Sequence, residues 1–341
     1  MKKEVPVAAA VIFADDKVLA VQRGYGPGTG WWEFPGGKLE AGETHREALV
    51  RELEEELSIK VAVEEEIGTQ KSVTADTCYV ITFFTCHLYG QKPVFREAMD
   101  ARWLTLAELR TVHWMLADWL ILEEVRARMS PATVLCYGDS NTYGYNPNNC
   151  LRFLPRERWT GRLSARLGEE WLVVEEGCNG RTAASRPADD AWKYGLDYLV
   201  PCLNSHKPVA WVILMLGTND LKKDFHQSAE SIAAGVRQMV ETIQEFTAKK
   251  QEFPARILLI SPPKVLPGIA EGPFNERFEA DAVPRQQAFA GLYRQIADDL
   301  GCVFLDAAEC AEVSELDCLH LSANGHAALS ECIAKTLWEN L

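Results

Sequence analysis

With 341 residues, 47% hydrophobic and 25% charged, the chain is an ordinary globular protein long enough for two cores. Its net charge of −14 is shared out, 15 basic against 21 acidic residues through Ser130 and 20 against 28 beyond it. Neither part has a basic patch, which argues against duplex nucleic acid as a partner but leaves room for a nucleotide that arrives with its metal ion. The ten cysteines include no C-x-x-C pair and no Cys/His cluster at zinc spacing, so free thiols are expected. No apolar run approaches the ~20 residues that span a bilayer. Lys2 and Lys3 precede an apolar run, but Pro6, Glu4 and Asp15-Asp16 read as a first strand and not as a secretion signal. A cytoplasmic protein with no membrane partner is the expectation, and homo-oligomerisation is left open.

In chain order, Val5–Ala14 and Lys17–Gln22 read as a hairpin about Asp15-Asp16, followed by a glycine-rich loop, Gly24–Gly30, and by Trp31-Trp32-Glu33-Phe34-Pro35. Thr44 and Glu47 have capping-box spacing and start a helix. On that helix Glu52, Glu55 and Glu56 stand at i, i+3 and i+4, so their carboxylates share one face. Ala48, Leu49, Leu53 and Leu57 supply its apolar positions. An acidic face of this kind is either plain solvated surface or a set of oxygen ligands for a hard divalent cation. Strands are expected at Lys60–Val63, Tyr79–Leu88 and Ala101–Leu104, and a last helix from Leu116 to Met129.

The stretch from Gly37 to Ile59 resembles the Nudix box, G-x5-E-x7-R-E-U-x-E-E-x-G-U with U aliphatic. Gly37, Glu43, Arg51, Glu52, Leu53, Glu55, Glu56 and Ile59 match, and Ser58 stands where that family has the helix-ending glycine. A serine there must enter the left-handed region at a cost of about 1 kcal/mol. The resemblance, closest to MutT-like and CTP-pyrophosphohydrolase-like members, implies a Nudix α/β/α sandwich with a mixed sheet. It implies Mg²⁺ or Mn²⁺ held by Glu52, Glu55, Glu56 and the Gly36 carbonyl, with Glu55 also catalytic and Glu43 bracing the loop through Arg51. Glu97, six residues before Trp103, stands at the offset of a further metal-binding or base glutamate, or is a surface carboxylate. Lys38 is a phosphate contact or a solvated loop lysine. Asp118 lies in the segment where relatives read the base; an accepting carboxylate would favour an exocyclic amino group, and the alternative is an ordinary helix-face position. Trp32 and Phe34 are expected in the core rather than stacked on a base.

Ser130-Pro131 reads as the junction, giving domains 1–129 and 130–341. A strand from Val134 runs into Gly138-Asp139-Ser140-Asn141-Thr142, which alone is a commonplace strand-to-turn sequence and is not the G-x-S-x-G elbow. Three later blocks change its reading: Glu176-Gly177-Cys178-Asn179-Gly180-Arg181-Thr182, Gly217-Thr218-Asn219-Asp220 after the buried run Val209–Leu216, and Asp317-Cys318-Leu319-His320. In this order the four blocks resemble the SGNH or GDSL hydrolases, and most of all their arylesterase and acyltransferase branch, which favours small acyl groups. Helical patterns at Trp159–Leu167, Ala229–Lys249, Pro284–Leu300 and Ala323–Leu341 agree with the three-layer α/β/α domain with a parallel sheet that this implies.

The resemblance makes Ser140 the nucleophile, His320 its base and Asp317 the orienting acid, with the N–H groups of Ser140 and Gly180 and the Asn219 amide around the oxyanion. No cofactor is expected for this domain. Asp139 and Thr142 would order the nucleophile turn, Asp220 would brace, and His326 would pack. Tyr143, Tyr145 and Trp192 are either pocket walls or core. The whole chain thus reads as a bifunctional hydrolase acting on a nucleotide and on a small acyl ester. One alternative makes the first domain a non-catalytic nucleotide sensor; another gives both domains one acylated metabolite.

Overall fold

The computed structural model describes residues 2–89, 93–94, 98 and 100–341. The chain forms two compact units, Met1–Ala132 and Thr133–Leu341. All ten cysteines are unpaired thiols.

In the first unit β1 (Lys3–Ala14) lies at the middle of a mixed sheet. It pairs in parallel with β6 (Thr77–Leu88), and antiparallel with β2 (Lys17–Gln22) and the short β4 (Gly36–Lys38). β3 (Trp32–Glu33) and β7 (Asp100–Thr105) extend it from β2, and β5 (Val61–Val73) from β6. Ala8, Ala10 and Ile12 pack under α1 (His45–Leu57) with Leu49, Leu53 and Leu57. Ala9 and Val11 face the other way, toward Ile121, Leu122 and Val125 of α2 (Leu116–Arg126). Ala8–Ile12 is buried on both faces and so is apolar at every position, without alternation. Trp32 and Phe34 are buried in the α2 core, as expected.

The second unit has a five-stranded sheet ordered β12-β11-β10-β8-β9, from β8 (Ala132–Gly138), β9 (Trp171–Gly177), β10 (Trp211–Met215), β11 (Arg256–Ser261) and β12 (Val303–Asp306). β8, β10, β11 and β12 pair in parallel. The chain goes from β8 to one neighbour, β9, and then to the opposite one, β10. Such a reversal opens a crevice at the carboxyl ends of the strands, the usual place for a site in this kind of sheet. The longer helices that connect and flank the strands are α4 (Trp159–Leu167), α5 (Gly195–His206), α6 (Ala229–Lys250), α8 (Phe289–Leu300) and α10 (Ala323–Glu339). Shorter turns of helix are α3 (Ser140–Tyr143), α7 (Ala282–Gln287) and α9 (Ala307–Cys310). The single helix expected over Pro284–Leu300 is therefore two, parted at Ala288.

Candidate active sites

α1 begins as its sequence dictates. Thr44 Oγ1 accepts the Glu47 N–H at 3.3 Å while Thr44 N–H donates to Glu47 Oε2 at 2.8 Å. It ends at Ser58 in the left-handed region, φ 55° and ψ 34°, where a glycine would be unstrained. Between these ends Arg51 gathers the acids: Nε donates to Glu43 Oε1 at 2.8 Å, Nη1 to Glu52 Oε1 at 3.0 Å and Nη2 to the Lys38 carbonyl at 3.1 Å. The guanidinium pulls the Glu43 carboxyl down to about 2. Glycine is needed twice in the loop. Gly36 runs at φ 155° with its Cα so close to β1 that a Cβ would lie 2.1 Å from the Ala8 carbonyl oxygen. A Cβ on Gly37 would fall 2.1–2.4 Å from the Glu52 carboxylate, which occupies that space.

The donor set suits a hard divalent ion: Glu52 tucked under the glycine loop, Glu55 with 62% of its side chain exposed, and Glu56 on the same helix face. Lys38 is exposed in β4, its Nζ 5.8 Å from the centre of the Tyr79 ring. Glu97 lies outside the described residues. Asp118 sits in the first turn of α2, almost fully buried, with Oδ1 accepting the Phe34 N–H at 2.9 Å. Burial pushes its carboxyl up to about 8. The sequence reading treated it as a carboxylate that only accepts; a buried acid near neutral pH is protonated and also donates, so the lean toward an amino group loses its reason.

In the second unit Ser140 follows β8 directly. Its hydroxyl lies 2.8 Å from His320 Nε2, and His320 Nδ1 lies 2.7 Å from Asp317 Oδ2. Asp317 Oδ1 accepts the N–H groups of Leu319 at 3.1 Å and His320 at 3.0 Å, a tight turn in which Cys318 takes φ 58°. The ring of Tyr145 stands 4.3 Å from the imidazole and that of Phe274 5.6 Å. Gly180 follows β9 and Asn219 follows β10, so three neighbouring strand ends converge. Among the described residues no protein acceptor takes the N–H of Ser140 or Gly180, and Asn219 Nδ2 spends one hydrogen on the Arg181 carbonyl at 3.2 Å. A hydroxyl lined up on an imidazole that a carboxylate orients, beside unspent N–H donors, is an arrangement for acyl transfer.

Asp139 Oδ1 accepts the Asn141 N–H at 2.9 Å, and Asp220 accepts three N–H groups from Ala183, Ala184 and Ser185 at 2.8–2.9 Å. Thr142 packs against Gly138 with its hydroxyl unpartnered. His326 is buried, its Nδ1 accepting the Trp159 N–H at 3.2 Å, and burial holds it neutral with its pKa down to about 3. Trp192 is largely exposed, and Tyr143 lies under the Arg152 guanidinium.

Two residues escaped the sequence reading. Arg181 donates through Nη1 to the carbonyls of Gly138, at 3.0 Å, and Glu176, fastening the Gly180 turn to the end of β8. Asn141 accepts the Leu321 N–H and donates to the Leu319 carbonyl, tying the serine turn to the histidine turn. A third grouping, Glu176 with Cys202 and His206, places its ligand atoms within 4.8 Å of one another, and the His206 Nε2 to Glu176 Oε1 distance of 3.0 Å joins α5 to the end of β9.

The GDSL-like Lipase/Acylhydrolase family matches residues 136–328, and the NUDIX domain matches residues 3–131. The chain belongs to both families. Residues of the Nudix part are 39% identical over 122 residues to "Putative 8-oxo-dGTP diphosphatase 2" of Mycobacterium tuberculosis, covering 35% of this chain and 84% of that one. They are 46% identical over 70 residues to the CTP pyrophosphohydrolase of Escherichia coli, covering 20% of this chain and 52% of that one. The GDSL part is similar to the solved structure of Est24, a carbohydrate acetylesterase from Sinorhizobium meliloti, at 32% identity and a TM-score of 0.58, covering 62% of this chain and all of that one, 100%. Both families are hydrolytic, so the chain joins a Nudix hydrolase domain to a GDSL esterase domain. Among the described residues no helix is long and apolar enough to cross a membrane.

Proposed function

We propose that the Nudix domain cleaves a nucleoside triphosphate to monophosphate and pyrophosphate, and that the GDSL domain hydrolyses small acyl esters. The hydrogen-bonded line Ser140–His320–Asp317 carries the esterase half. Ser140 Oγ bonds to the acyl carbon as its proton passes to His320 Nε2. The N–H groups of Ser140 and Gly180, with the remaining Asn219 amide hydrogen, hold the carbonyl oxygen as it becomes negative. His320 then protonates the departing alcohol, and water, deprotonated by the same imidazole, releases the acid. Est24 is named a carbohydrate acetylesterase, which supports small acyl groups such as acetyl.

For the Nudix half the carrying observation is the Arg51 network that sets Glu52 against the glycine loop and leaves Glu55 exposed. Glu52, Glu55, Glu56 and the Gly36 carbonyl would hold Mg²⁺ or Mn²⁺, which when bound lowers the pKa of a water and offsets phosphate charge. Lys38 adds a cation for the phosphates, and Asp118, able to donate and accept, stands for the base contact. The names of the Mycobacterium and Escherichia relatives, one naming 8-oxo-dGTP and one CTP, are both compatible with such a group.

The test is a panel of CTP, dCTP, 5-methyl-dCTP, dGTP, 8-oxo-dGTP, ADP-ribose and sugar nucleotides with Mg²⁺, separating pyrophosphate from phosphate, alongside 4-nitrophenyl acetate. Pyrophosphate release lost in Glu55→Gln, and acetate release lost in Ser140→Ala, are expected. No turnover of any nucleotide with the esterase intact would overturn the first half; ester cleavage unaffected by Ser140→Ala would overturn the second.

A further inference from the structure

Outside the Ser140 machinery, the end of β9 and the last turns of α5 bring three different ligand types together. Cys202 and His206 are one helical turn apart, so both side chains lie on one face of α5. That face meets Glu176, next to last in β9. The Cys202 Sγ, a His206 ring nitrogen and a Glu176 carboxylate oxygen all lie within 4.8 Å of one another. Glu176 Oε1 is 3.0 Å from His206 Nε2 and accepts the Tyr198 hydroxyl at 3.4 Å. Cys202 is 1% exposed, whereas the side chains of His206 and Glu176 are 29% and 19% exposed. The group is closed on its thiol side and reached by solvent on the other.

A thiol, an imidazole and a carboxylate together form a selective donor set. Mg²⁺ and Ca²⁺ take oxygen ligands and leave thiolates alone, while Zn²⁺ takes all three kinds. With Cys202 as thiolate, Glu176 ionised and His206 neutral, the donors carry two negative charges, which a divalent ion cancels; a largely buried site needs such a balance. Arg181 does not supply it. Its guanidinium lies 4.1 Å from the centre of the Tyr137 ring and donates to the Gly138 and Glu176 carbonyls, not to the Glu176 carboxylate. Zinc bonds of about 2.0–2.3 Å in a tetrahedron set ligand atoms about 3–4 Å apart, so side-chain shifts of about 1.5 Å at most close the three donors on one ion. The fourth corner then faces solvent and takes a water.

We propose that Glu176, Cys202 and His206 bind one Zn²⁺ ion, which pins the last turns of α5 to the end of β9. Binding releases the thiol proton to water and leaves the His206 proton on the ring nitrogen that does not face the ion, so affinity falls as pH falls. Four residues after Glu176 comes Gly180, and Arg181 fastens the Glu176 carbonyl, so the ion braces the strand end from which the Gly180 turn departs. The site takes no part in the ester chemistry and stands independently of it.

The full chain, reduced and stripped with a chelator, is titrated with Co²⁺ in excess Mg²⁺. One equivalent is expected to produce a near-ultraviolet thiolate-to-cobalt band, which the oxygen ligands of α1 cannot give, and Zn²⁺ is expected to abolish it by displacement. Cys202→Ala should remove the band, and His206→Gln should weaken Zn²⁺ binding by about 100-fold or more, while Cys150→Ser, at an exposed thiol, keeps both. Zn²⁺ should also raise the melting temperature of the parent and not that of His206→Gln. His206 is partly exposed, so its variant tests the site even where Cys202→Ala, in the core, does not fold. A parent chain without the thiolate band would overturn the proposal. So would a band that survives Cys202→Ala, or a His206→Gln chain that binds Zn²⁺ as tightly as the parent, since the ion would then sit on other thiols.

Discussion

Asn141 and Leu321 are 180 residues apart in sequence, yet the Asn141 Oδ1 accepts the Leu321 N–H at 2.8 Å. The bond sets the separation between the turn that carries Ser140 and the turn that carries His320. Asn141→Ala is expected to lower esterase kcat about 10–100-fold with KM little changed, since a misplaced base costs rate more than binding. Asn141→Asp keeps the acceptor and should recover most of the loss. Steady-state kinetics on 4-nitrophenyl acetate checks both; a full-rate Asn141→Ala would show that other contacts hold the turns.

Ser58 ends α1 in the left-handed region, and its hydroxyl is buried without a partner. Ser58→Gly removes both costs. The Nudix domain should gain about 1 kcal/mol in chemical denaturation, with nucleotide turnover unchanged. A loss of stability would mean that the hydroxyl is satisfied in solution.

Asp118 is protonated in the fold, its pKa raised from 3.8 to about 8. The folded state therefore binds the extra proton between those values, and the stability this contributes is lost as pH rises toward and through 8. Asp118→Asn keeps an acceptor for the Phe34 N–H and has no proton to lose. Its melting temperature should exceed the parent's by more at pH 9 than at pH 6. A constant difference across that range would contradict the buried neutral acid.

His326 titrates the other way. Its pKa falls from 6.5 to about 3 in the fold, so the unfolded chain takes up the proton first and stability is lost as pH drops below 6.5. His326→Gln should lower stability at pH 7.5, where the Trp159 contact is disturbed, yet show a shallower acid loss than the parent between pH 6.5 and 4. The limiting slope for one such proton is about 1.4 kcal/mol per pH unit. Parallel curves would place the proton elsewhere.

Much of this was legible before any coordinates, because the residues that bear chemistry sit in short local patterns. The Thr44–Glu47 cap, the Arg51–Glu43 pair, the left-handed Ser58 and the order Ser140, Gly180, Asn219, Asp317, His320 each depend on spacing within a few residues or on the succession of strand ends. What escaped depends on contacts between distant segments. Arg181 looked like any loop arginine until its guanidinium met the Gly138 carbonyl, and Asn141 was one polar residue among several. The charge of Asp118 was misjudged because burial, and not residue type, decides it. β5 runs through Glu64-Glu65-Glu66, a charge run that hid ten of its thirteen residues, and α5 carries Gly195 and Pro201, which both argue against helix.

The placement of Ser140 near the start of its unit and His320 near its end also has a consequence for synthesis. The Nudix glutamates and the α2 residues that cover their sheet are all translated by Arg126, and that unit closes on itself. The serine emerges soon after but waits for the histidine, 180 residues later. At ribosomal speeds of about 5–20 residues per second, that is a gap of roughly 10–40 s. Each new molecule therefore completes its phosphate-handling end well before its ester-cleaving end, and a chain stalled in between carries the first chemistry without the second.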